Sequence, residues 1–242
     1  MTDAKARTLV FVPAWNEEAN LPAVLEELRA ELPDADVLVV DDGSTDRTAE
    51  VARELGAEVL SFGENRGLQA GIAAGYDYAV DHGYGLCGRV DADGQHPAAE
   101  LHLLLDRVRS GACDVAVGSR FASDERLPPY RYTSTGPRRF GSALLRRSVG
   151  FVLRRPFFDA TSGMYAANEK ALPILAEPYT SGAPEVQALL RLHDAGLRVD
   201  EIPVHMRERA SGESKLRGKK AIMLVLTVAA TLVAFLYRRR AR

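Results

Sequence analysis

Short apolar runs rich in β-branched residues alternate with amphipathic segments along the first half of the chain. The runs predict strands and the longer segments between them predict helices. The predicted strands are 8–12, 36–40, 58–62, 86–90 and 114–117, and the predicted helices are 17–32, 45–55, 68–81 and 97–110. Strands joined through helices make right-handed crossovers into a parallel sheet with helices on both faces. The pattern predicts a Rossmann-like α/β fold that binds ligands at the carboxyl ends of its strands.

The pattern changes after Arg120. A proline-containing loop (127–132) and a basic amphipathic stretch (138–155) are followed by a strand-like run (164–167), a helix near 184–195 and a strand (198–206). No internal repeat and no low-complexity linker interrupts the chain. One globular domain with a C-terminal appendage is therefore expected.

The appendage is an apolar segment, residues 221–237, preceded by Lys219 and Lys220 and followed by three arginines. As a helix it would be about 25 Å long, against about 30 Å for the hydrocarbon core of a bilayer. A helix that is apolar all round must be buried somewhere. Two alternatives stay open: a membrane anchor whose flanking cations reach the interface, and a helix buried against the domain or a second copy.

Charge and cysteine content narrow the class of protein. A net charge of −2 with 26% charged residues excludes both a basic nucleic-acid-binding protein and a disordered chain. Residues 126–155 nevertheless carry eight arginines and no acidic residue, which favours contact with anionic lipid headgroups. Cys87 and Cys113 lie in apolar contexts without a C-x-x-C pattern, as in a reducing cytosolic environment.

Two acidic turns follow predicted strands. The first is Asp41-Asp42-Gly43-Ser44-Thr45-Asp46, and the second is Asp91-Ala92-Asp93-Gly94-Gln95-His96-Pro97. Two carboxylates one residue apart can face one hard cation, Mg²⁺ or Mn²⁺, and a nucleoside diphosphate would supply further oxygens. Aspartate is common in turns for structural reasons as well. Two such turns in order, after VPAWNEE at residues 12–18, favour a functional interpretation.

Together these motifs resemble the family 2 glycosyltransferases of GT-A fold. The resemblance rests on VPAWNEE, VVDDGSTD, Asn65-x-Gly67, VDADGQHP and Gly118-Ser119-Arg120. Two later motifs, Asp159-x-x-Ser162-Gly163 and Arg209-x-x-Gly212-x-Ser214-Lys215, resemble the branch that contains dolichol-phosphate mannose synthase and other polyprenyl-phosphate glycosyltransferases. The match extends over about residues 7–216. It implies a catalytic domain at 1–216 and a separate C-terminal helix, membrane anchor or interface helix, at 217–242.

The resemblance also implies roles for individual side chains. The donor site would contain Pro13, Ala14, Glu17, Asp42, Asp91 and Ser214. The metal would be held by Asp91 and Asp93, with Gln95 as a nearby ligand. The acceptor phosphate would be bound by Arg120, Arg138 and Ser142, and the catalytic groups would be Asp93, Asp159, Arg209 and Lys215. Arginine suits bidentate phosphate binding, and a cationic segment can compensate charge on a leaving diphosphate.

The expected reaction is an inverting transfer of a hexose from a UDP-, GDP- or TDP-linked donor to a polyprenyl-phosphate lipid at the cytoplasmic membrane face. A phosphate is largely ionised near neutrality, so Asp159 would orient the acceptor more than deprotonate it. Transfer to a sugar or lipid hydroxyl is an alternative, and Asp159 or Glu185 would then act as the base. Stabilisation of a helix start is an equally good explanation for Glu185. A non-catalytic nucleotide-binding scaffold is a further alternative, and self-association stays open.

Overall fold

The computed structural model describes residues 6–122, 146–207 and 219–240. The strands are β1 (Thr8–Ala14), β2 (Ala35–Asp41), β3 (Glu58–Ser61), β4 (Leu86–Arg89), β5 (Val115–Ser119), β6 (Tyr165–Asn168) and β7 (Val199–Pro203). The helices are α1 (Leu21–Glu31), α2 (Thr48–Glu54), α3 (Leu68–Asp81), α4 (Ala98–Arg109), α5 (146–153), α6 (Leu172–Ala176), α7 (Pro184–Asp194) and α8 (Lys219–Arg240). The predicted alternation of strands and helices in the first half is confirmed.

The seven strands form one sheet in the order β3-β2-β1-β4-β6-β5-β7. Strand β1 pairs in parallel with β2 and β4, and the pairs β2–β3 and β5–β7 are also parallel. Strand β6 is antiparallel to both β4 and β5, between which it lies. The sheet is therefore mainly parallel, as predicted, and β6 is the exception. Its insertion separates the carboxyl ends of β4 and β5 by one strand.

Helices cover both faces of the sheet. Alternate residues of β1 show this directly: Leu9 and Phe11 pack in one core and Val10 and Val12 in the other, and all four are almost fully buried. The first core includes α3, α6 and α7, and the second includes α1 and α4. Burial on both faces explains why the strands appear in the sequence as continuous apolar runs.

Two helix starts differ from the prediction. Helix α1 begins at Leu21, because residues 17–20 form a turn in which the Glu17 carbonyl accepts hydrogen bonds from the N–H groups of Asn20 and Leu21. Helix α2 begins at Thr48, because the Asp46 carboxylate accepts the N–H and hydroxyl of Thr48 and holds residues 46–48 in a local turn at the helix start. The short helix α6 was not predicted. Its five residues are too few to show a helical period.

Helix α8 packs along the domain. Val228 and Leu232 are buried in the first core, and Phe235 packs against it, so the spacing i, i+4, i+7 defines an inward face. Thr227 lies on the same side, since its Cγ2 is 3.2 Å from a Cβ built on Gly182. The outward face carries apolar side chains that are more than two-fifths exposed: Met223, Leu226, Val233, Leu236 and Tyr237. Among the described residues, no helix combines the length and apolarity that crossing a bilayer requires.

Candidate active site

Connections from the carboxyl ends of β1, β2 and β4 meet at one edge of the sheet. The loops after β1 and β2 hold each other through reciprocal side-chain to backbone hydrogen bonds. Asn16 Oδ1 accepts the N–H of Thr45 at 2.8 Å, and Ser44 Oγ accepts the N–H of Asn16 at 3.0 Å. Glu18 Oε2 accepts the N–H of Arg47 at 2.8 Å. Asn16 has a φ of 55°, a left-handed conformation that asparagine tolerates. VPAWNEE and VVDDGSTD therefore form one rigid wall.

The predicted donor residues Pro13, Ala14, Glu17 and Asp42 all lie at this edge. Pro13 and Ala14 end β1 and are buried, and the Ala14 carbonyl accepts the N–H of Asp42 at 2.9 Å. Glu17 is half-buried, and its Oε2 accepts a hydrogen bond from Asn20 Nδ2 at 2.7 Å. The structure therefore brings these four residues together.

Asp42 organises the loop that precedes α3. Its Oδ1 accepts the N–H of Arg66 at 2.6 Å, and its Oδ2 accepts the N–H of Gly67 at 2.9 Å. The same loop crosses Gly43 closely, because a Cβ on Gly43 would lie 2.2 Å from the carbonyl carbon of Glu64. Gly43 also has a φ of +65°, so only glycine meets both demands. Asn65-x-Gly67 thus reaches the site through backbone contacts with the first acidic turn.

The second acidic turn carries the predicted metal ligands. Asp93 is buried and is held by its own turn, because Oδ1 accepts the Gln95 N–H at 3.1 Å and Oδ2 accepts the Gln95 amide at 2.5 Å. Asp91 is more open, with its side chain 35% exposed. Gln95 contacts Asp93 in this structure through its amide nitrogen, which cannot ligate a metal. No cluster of three or more His, Cys, Asp or Glu side chains suited to a metal occurs within the described ranges.

Asp91 lies beside two basic side chains. Arg89 Nη2 is 3.4 Å from Asp91 Oδ1, and the His96 ring accepts the backbone N–H of Asp91 through Nδ1 at 3.0 Å. Burial opposes ionisation of Asp91, but His96 and Arg89 hold its pKa below the usual value. Burial in turn lowers the pKa of His96, so the ring is neutral and accepts a hydrogen bond at neutral pH, and it carries a positive charge only at acidic pH. Asp91 is therefore an anion at neutral pH, as a metal ligand must be.

Glu185 lies in the same network. It is in the first turn of α7, where its Oε1 accepts a hydrogen bond from Arg89 Nη2 at 3.1 Å. Its side chain is 15% exposed, and burial raises its pKa although Arg89 opposes this. The sequence offered two explanations for Glu185, a general base and a residue that stabilises the start of a helix. The structure adds a third, because the Glu185 carboxylate balances the charge of the buried Arg89. Arg89 was not among the predicted site residues; it is the last residue of the buried strand β4, where a charge is unexpected.

Arg120 and Asp159 form a two-point ion pair. Arg120 Nε is 2.7 Å from Asp159 Oδ2, and Nη2 is 2.8 Å from Oδ1. Asp159 is almost fully buried, and Glu201 accepts its N–H at 2.6 Å. Burial raises the pKa of Glu201, and the N–H of Phe158 and the Ser119 hydroxyl counteract that rise. The structure therefore places the predicted residues Arg120 and Asp159 next to each other, and the two side chains bind each other.

Five predicted residues lie outside the described ranges: Arg138, Ser142, Arg209, Ser214 and Lys215. The described residues thus contribute three groups to one edge of the sheet: the wall from β1 and β2, the carboxylates Asp91 and Asp93, and the Arg120–Asp159 pair. An acidic pair facing a guanidinium can bind a metal-complexed diphosphate and an anionic acceptor next to each other.

The fold and this edge define an α/β transferase with the GT-A arrangement. The chain matches the protein-family model described as "Glycosyl transferase family 2" over residues 9–172, and it therefore belongs to that family. The protein is a glycosyltransferase. The matched residues include the loops after β1, β2 and β4 and extend to the start of α6.

Curated relatives agree with the family. The chain is 32% identical to the polyprenol monophosphomannose synthase of Mycolicibacterium smegmatis, over 88% of this chain and 82% of the relative. It is 32% identical to the undecaprenyl-phosphate mannosyltransferase of Micrococcus luteus, over 88% of each. The dolichol-phosphate mannosyltransferase of Pyrococcus furiosus is 30% identical over 87% of this chain and 59% of its own length.

Solved structures confirm the fold. Glucosyl-3-phosphoglycerate synthase from Mycobacterium tuberculosis, in complex with Mn²⁺, uridine diphosphate and phosphoglyceric acid, superposes with a TM-score of 0.71 at 19% identity. That match covers 95% of this chain and 79% of the other. A second structure of the same enzyme, with Mg²⁺ and uridine diphosphate, gives a TM-score of 0.68 at 22% identity, over 96% of this chain and 80% of the other.

Proposed function

We propose that this glycosyltransferase is inverting and metal-dependent, and that it moves a hexose from a nucleotide sugar to a polyprenyl-phosphate lipid at the cytoplasmic face of a membrane. In this proposal residues 1–216 are the catalytic domain and residues 217–242 an appended helix. The observation that carries it is that both acceptor-side carboxylates are already paired with arginines, Asp159 with Arg120 and Glu185 with Arg89.

Paired carboxylates favour an acceptor that is already ionised. Both oxygens of the Asp159 carboxylate accept hydrogen bonds from Arg120, and Glu185 accepts one from Arg89, so each carboxylate is directed at an arginine rather than at an acceptor hydroxyl. A hydroxyl acceptor must lose a proton in the transition state, whereas a phosphate monoester carries about 1.5 to 2 negative charges at pH 7. The two ion pairs therefore support a phosphate acceptor over a sugar or lipid hydroxyl.

Asp91 and Asp93 fit a hard divalent cation. Two carboxylates leave several positions of an octahedral Mg²⁺ or Mn²⁺ for water and diphosphate oxygens, which is how such ions bind with nucleotides. The bound cation would supply Lewis-acid stabilisation of the leaving diphosphate. Asp42, Pro13, Ala14 and Glu17 would form the nucleoside side of the pocket, and Arg209, Ser214 and Lys215 would close over the diphosphate.

On the acceptor side, Arg120 would bind the lipid phosphate with Arg138 and Ser142. Asp159 would hold the guanidinium of Arg120 in one orientation, so that the phosphate oxygen attacks the anomeric carbon opposite the leaving diphosphate. This arrangement supplies orientation and charge stabilisation and requires no proton transfer to the protein.

The relatives support the acceptor and the donor class. Three of them, at 30–32% identity, are named polyprenol monophosphomannose synthase, undecaprenyl-phosphate mannosyltransferase and dolichol-phosphate mannosyltransferase. The M. tuberculosis structures contain uridine diphosphate with Mn²⁺ or Mg²⁺, which supports a metal-bound nucleoside diphosphate. The nucleotide of this chain stays open among UDP, GDP and TDP.

The outward face of α8 supports membrane contact. This face is defined by Met223, Leu226, Val233, Leu236 and Tyr237, and Phe151 on α5, 81% exposed, extends it. Four exposed arginines flank Phe151 in the sequence: Arg146, Arg147, Arg154 and Arg155. Apolar side chains bordered by cations match an anionic bilayer, which offers hydrocarbon and phosphate side by side. We propose that the helix lies in the plane of the membrane with this face towards the lipid.

The proposal is tested with the full chain in detergent micelles. A thermal-shift panel of UDP-, GDP- and TDP-hexoses with Mn²⁺ identifies the donor, because a ligand that binds the folded state raises Tm. Radiolabelled donor is then offered with polyprenyl phosphate, with the matching polyprenol and with free sugars. Label should enter polyprenyl phosphate alone, and EDTA or Asp93→Asn should abolish transfer. Equal labelling of the polyprenol, or turnover with metal chelated, would contradict the proposal.

A further inference from the structure

Arg89 places a buried positive charge directly beneath the second acidic turn. Its side chain is 3% exposed at the end of β4, and Nη2 contacts Glu185 Oε1 at 3.1 Å and Asp91 Oδ1 at 3.4 Å. Among the described residues, neither Arg89 Nε nor the nearby Tyr165 hydroxyl has a hydrogen-bond partner. A buried guanidinium is costly unless it is paired. The two carboxylates therefore hold Arg89 in place, and Arg89 in return restrains them.

Asp91 is restrained differently from Asp93. Asp93 accepts two hydrogen bonds from Gln95, two residues along the same turn. The contacts of Asp91 come from His96 through the backbone and from Arg89 through the side chain. Gly163 closes the remaining side, because a Cβ there would lie 2.7 Å from Asp91 Oδ2. Among the described residues, Arg89 is thus the one side chain that donates a hydrogen bond to the Asp91 carboxylate.

We infer that Arg89 and Glu185 form a buried ion pair that orients Asp91 towards the divalent cation. Arg89 is then a positioning residue of the metal site, and Glu185 is the counter-charge of Arg89 rather than a general base. The inference rests on the metal use proposed above. Partners that orient a metal ligand typically change metal affinity by about 10- to 100-fold when they are removed.

The Arg89 guanidinium could instead compete with the cation for Asp91. The two roles have opposite effects on metal affinity. Orientation predicts weaker metal binding when the pair is removed, whereas competition predicts tighter binding. Direct measurement of the Mn²⁺ dissociation constant separates them without reference to turnover. The measurement uses calorimetry on the full chain with saturating nucleoside diphosphate of the base identified by the thermal-shift panel.

The principal variant is Arg89→Met with Glu185→Met, which removes both charges together so that neither is left buried alone. Its Tm shows that it folds. The matched control, Arg107→Met with Asp200→Asn, removes one charge of each sign from the surface pair between α4 and the start of β7. The Mn²⁺ dissociation constant should rise about 10- to 100-fold in the first variant and stay within about twofold in the control. An unchanged or lower value in the folded Arg89/Glu185 variant overturns the inference.

Two single variants complete the test. Asp91→Asn should lose Mn²⁺ binding; if it does not, the metal site of the proposed function fails, and the inference fails with it. If Asp91→Asn loses the metal but the Arg89/Glu185 variant does not, only the inference fails. Glu185→Gln should lower kcat less than about tenfold at saturating Mn²⁺. A general base is worth about 10²- to 10⁴-fold, so a loss of that size would assign Glu185 to proton transfer and overturn its role as counter-charge.

Discussion

The Asp159 carboxylate accepts two hydrogen bonds from the Arg120 guanidinium, Nε–Oδ2 at 2.7 Å and Nη2–Oδ1 at 2.8 Å. Arg120 follows β5 and Asp159 precedes β6, so the pair ties together the two segments that flank the proposed acceptor site. Glu201 on β7 holds the backbone of Asp159 from the far side. The guanidinium is therefore fixed before any acceptor arrives, and this preorganisation removes part of the entropic cost of binding a phosphate.

Replacing Asp159 by asparagine separates orientation from base catalysis. Asparagine keeps the shape and one acceptor oxygen but loses the charge that aligns Arg120. We expect the KM for polyprenyl phosphate to rise about 10- to 100-fold, because one charge-assisted hydrogen bond is worth roughly 1.5–3 kcal/mol, while the donor KM stays unchanged. Steady-state kinetics with each substrate varied in turn make the measurement. A fall in kcat of about 10²-fold or more at saturating acceptor would identify Asp159 as the base instead.

Much of the fold and one side of the site could be predicted from the sequence. Runs such as Val37–Val40 are apolar because both faces of the sheet are covered, and their acidic ends mark the ligand edge. Strand β6 was predicted as a strand-like run at 164–167, but its antiparallel direction could not be predicted, because four residues carry no information on direction. Arg89 and Glu185, 96 positions apart, meet only through the tertiary fold. The sequence also does not show which face of α8 packs on the domain, because the outward face is as apolar as the inward one.

Gly75 and Gly71 lie one turn apart on α3 and should respond differently to alanine. A Cβ on Gly75 would lie 2.3 Å from the Phe11 ring, in the core, whereas one on Gly71 would lie 3.6 Å from the nearest atom, Pro13 Cβ. Gly75→Ala should cost about 1–3 kcal/mol of unfolding free energy through overpacking. Gly71→Ala should be neutral or slightly stabilising, since alanine favours helix by about 1 kcal/mol over glycine. Chemical denaturation of both variants checks this, and equal losses would contradict the packing of α3 on β1.

Asp114 should make the stability of the fold depend on pH at the acidic end. Burial opposes its ionisation, but the N–H and guanidinium of Arg198 and the Asn168 amide hold its pKa below the usual value. The unfolded chain therefore binds a proton at higher pH than the native state. The contribution of Asp114 is complete above its unfolded pKa of about 4 and is lost as the pH falls through the lower native pKa. Asp114→Asn should be less stable at pH 7 and should flatten this acid dependence.

Denaturation curves between pH 7 and pH 3 provide the measurement. Asp81→Asn, at the exposed end of α3, is a control that removes one negative charge without removing such hydrogen bonds. If Asp114→Asn and Asp81→Asn keep the same acid dependence as the parent chain, Asp114 does not contribute in the expected way.

The two faces of α8 should separate membrane binding from folding. Leu226, Val233 and Tyr237 are 59%, 66% and 76% exposed, whereas Leu232 is 7% exposed and packs in the first core. Serine at the three outward positions should leave Tm nearly unchanged and reduce co-sedimentation with vesicles that contain anionic lipid. Leu232→Ser should lower Tm, because truncating a buried leucine costs about 2–5 kcal/mol.

The arginines of helix α5 should make the protein prefer anionic over neutral lipid. Replacing Arg146 and Arg147 by glutamine should weaken binding to anionic vesicles by about 1 kcal/mol per arginine, and added salt should weaken the binding of the parent chain as well. Binding to neutral vesicles should be low in every case. A second copy of the chain could cover the same apolar face, and light scattering distinguishes this outcome. A detergent-free dimer that the outward serine variants dissociate, with vesicle binding unchanged, would assign the face to self-association and contradict docking on the bilayer.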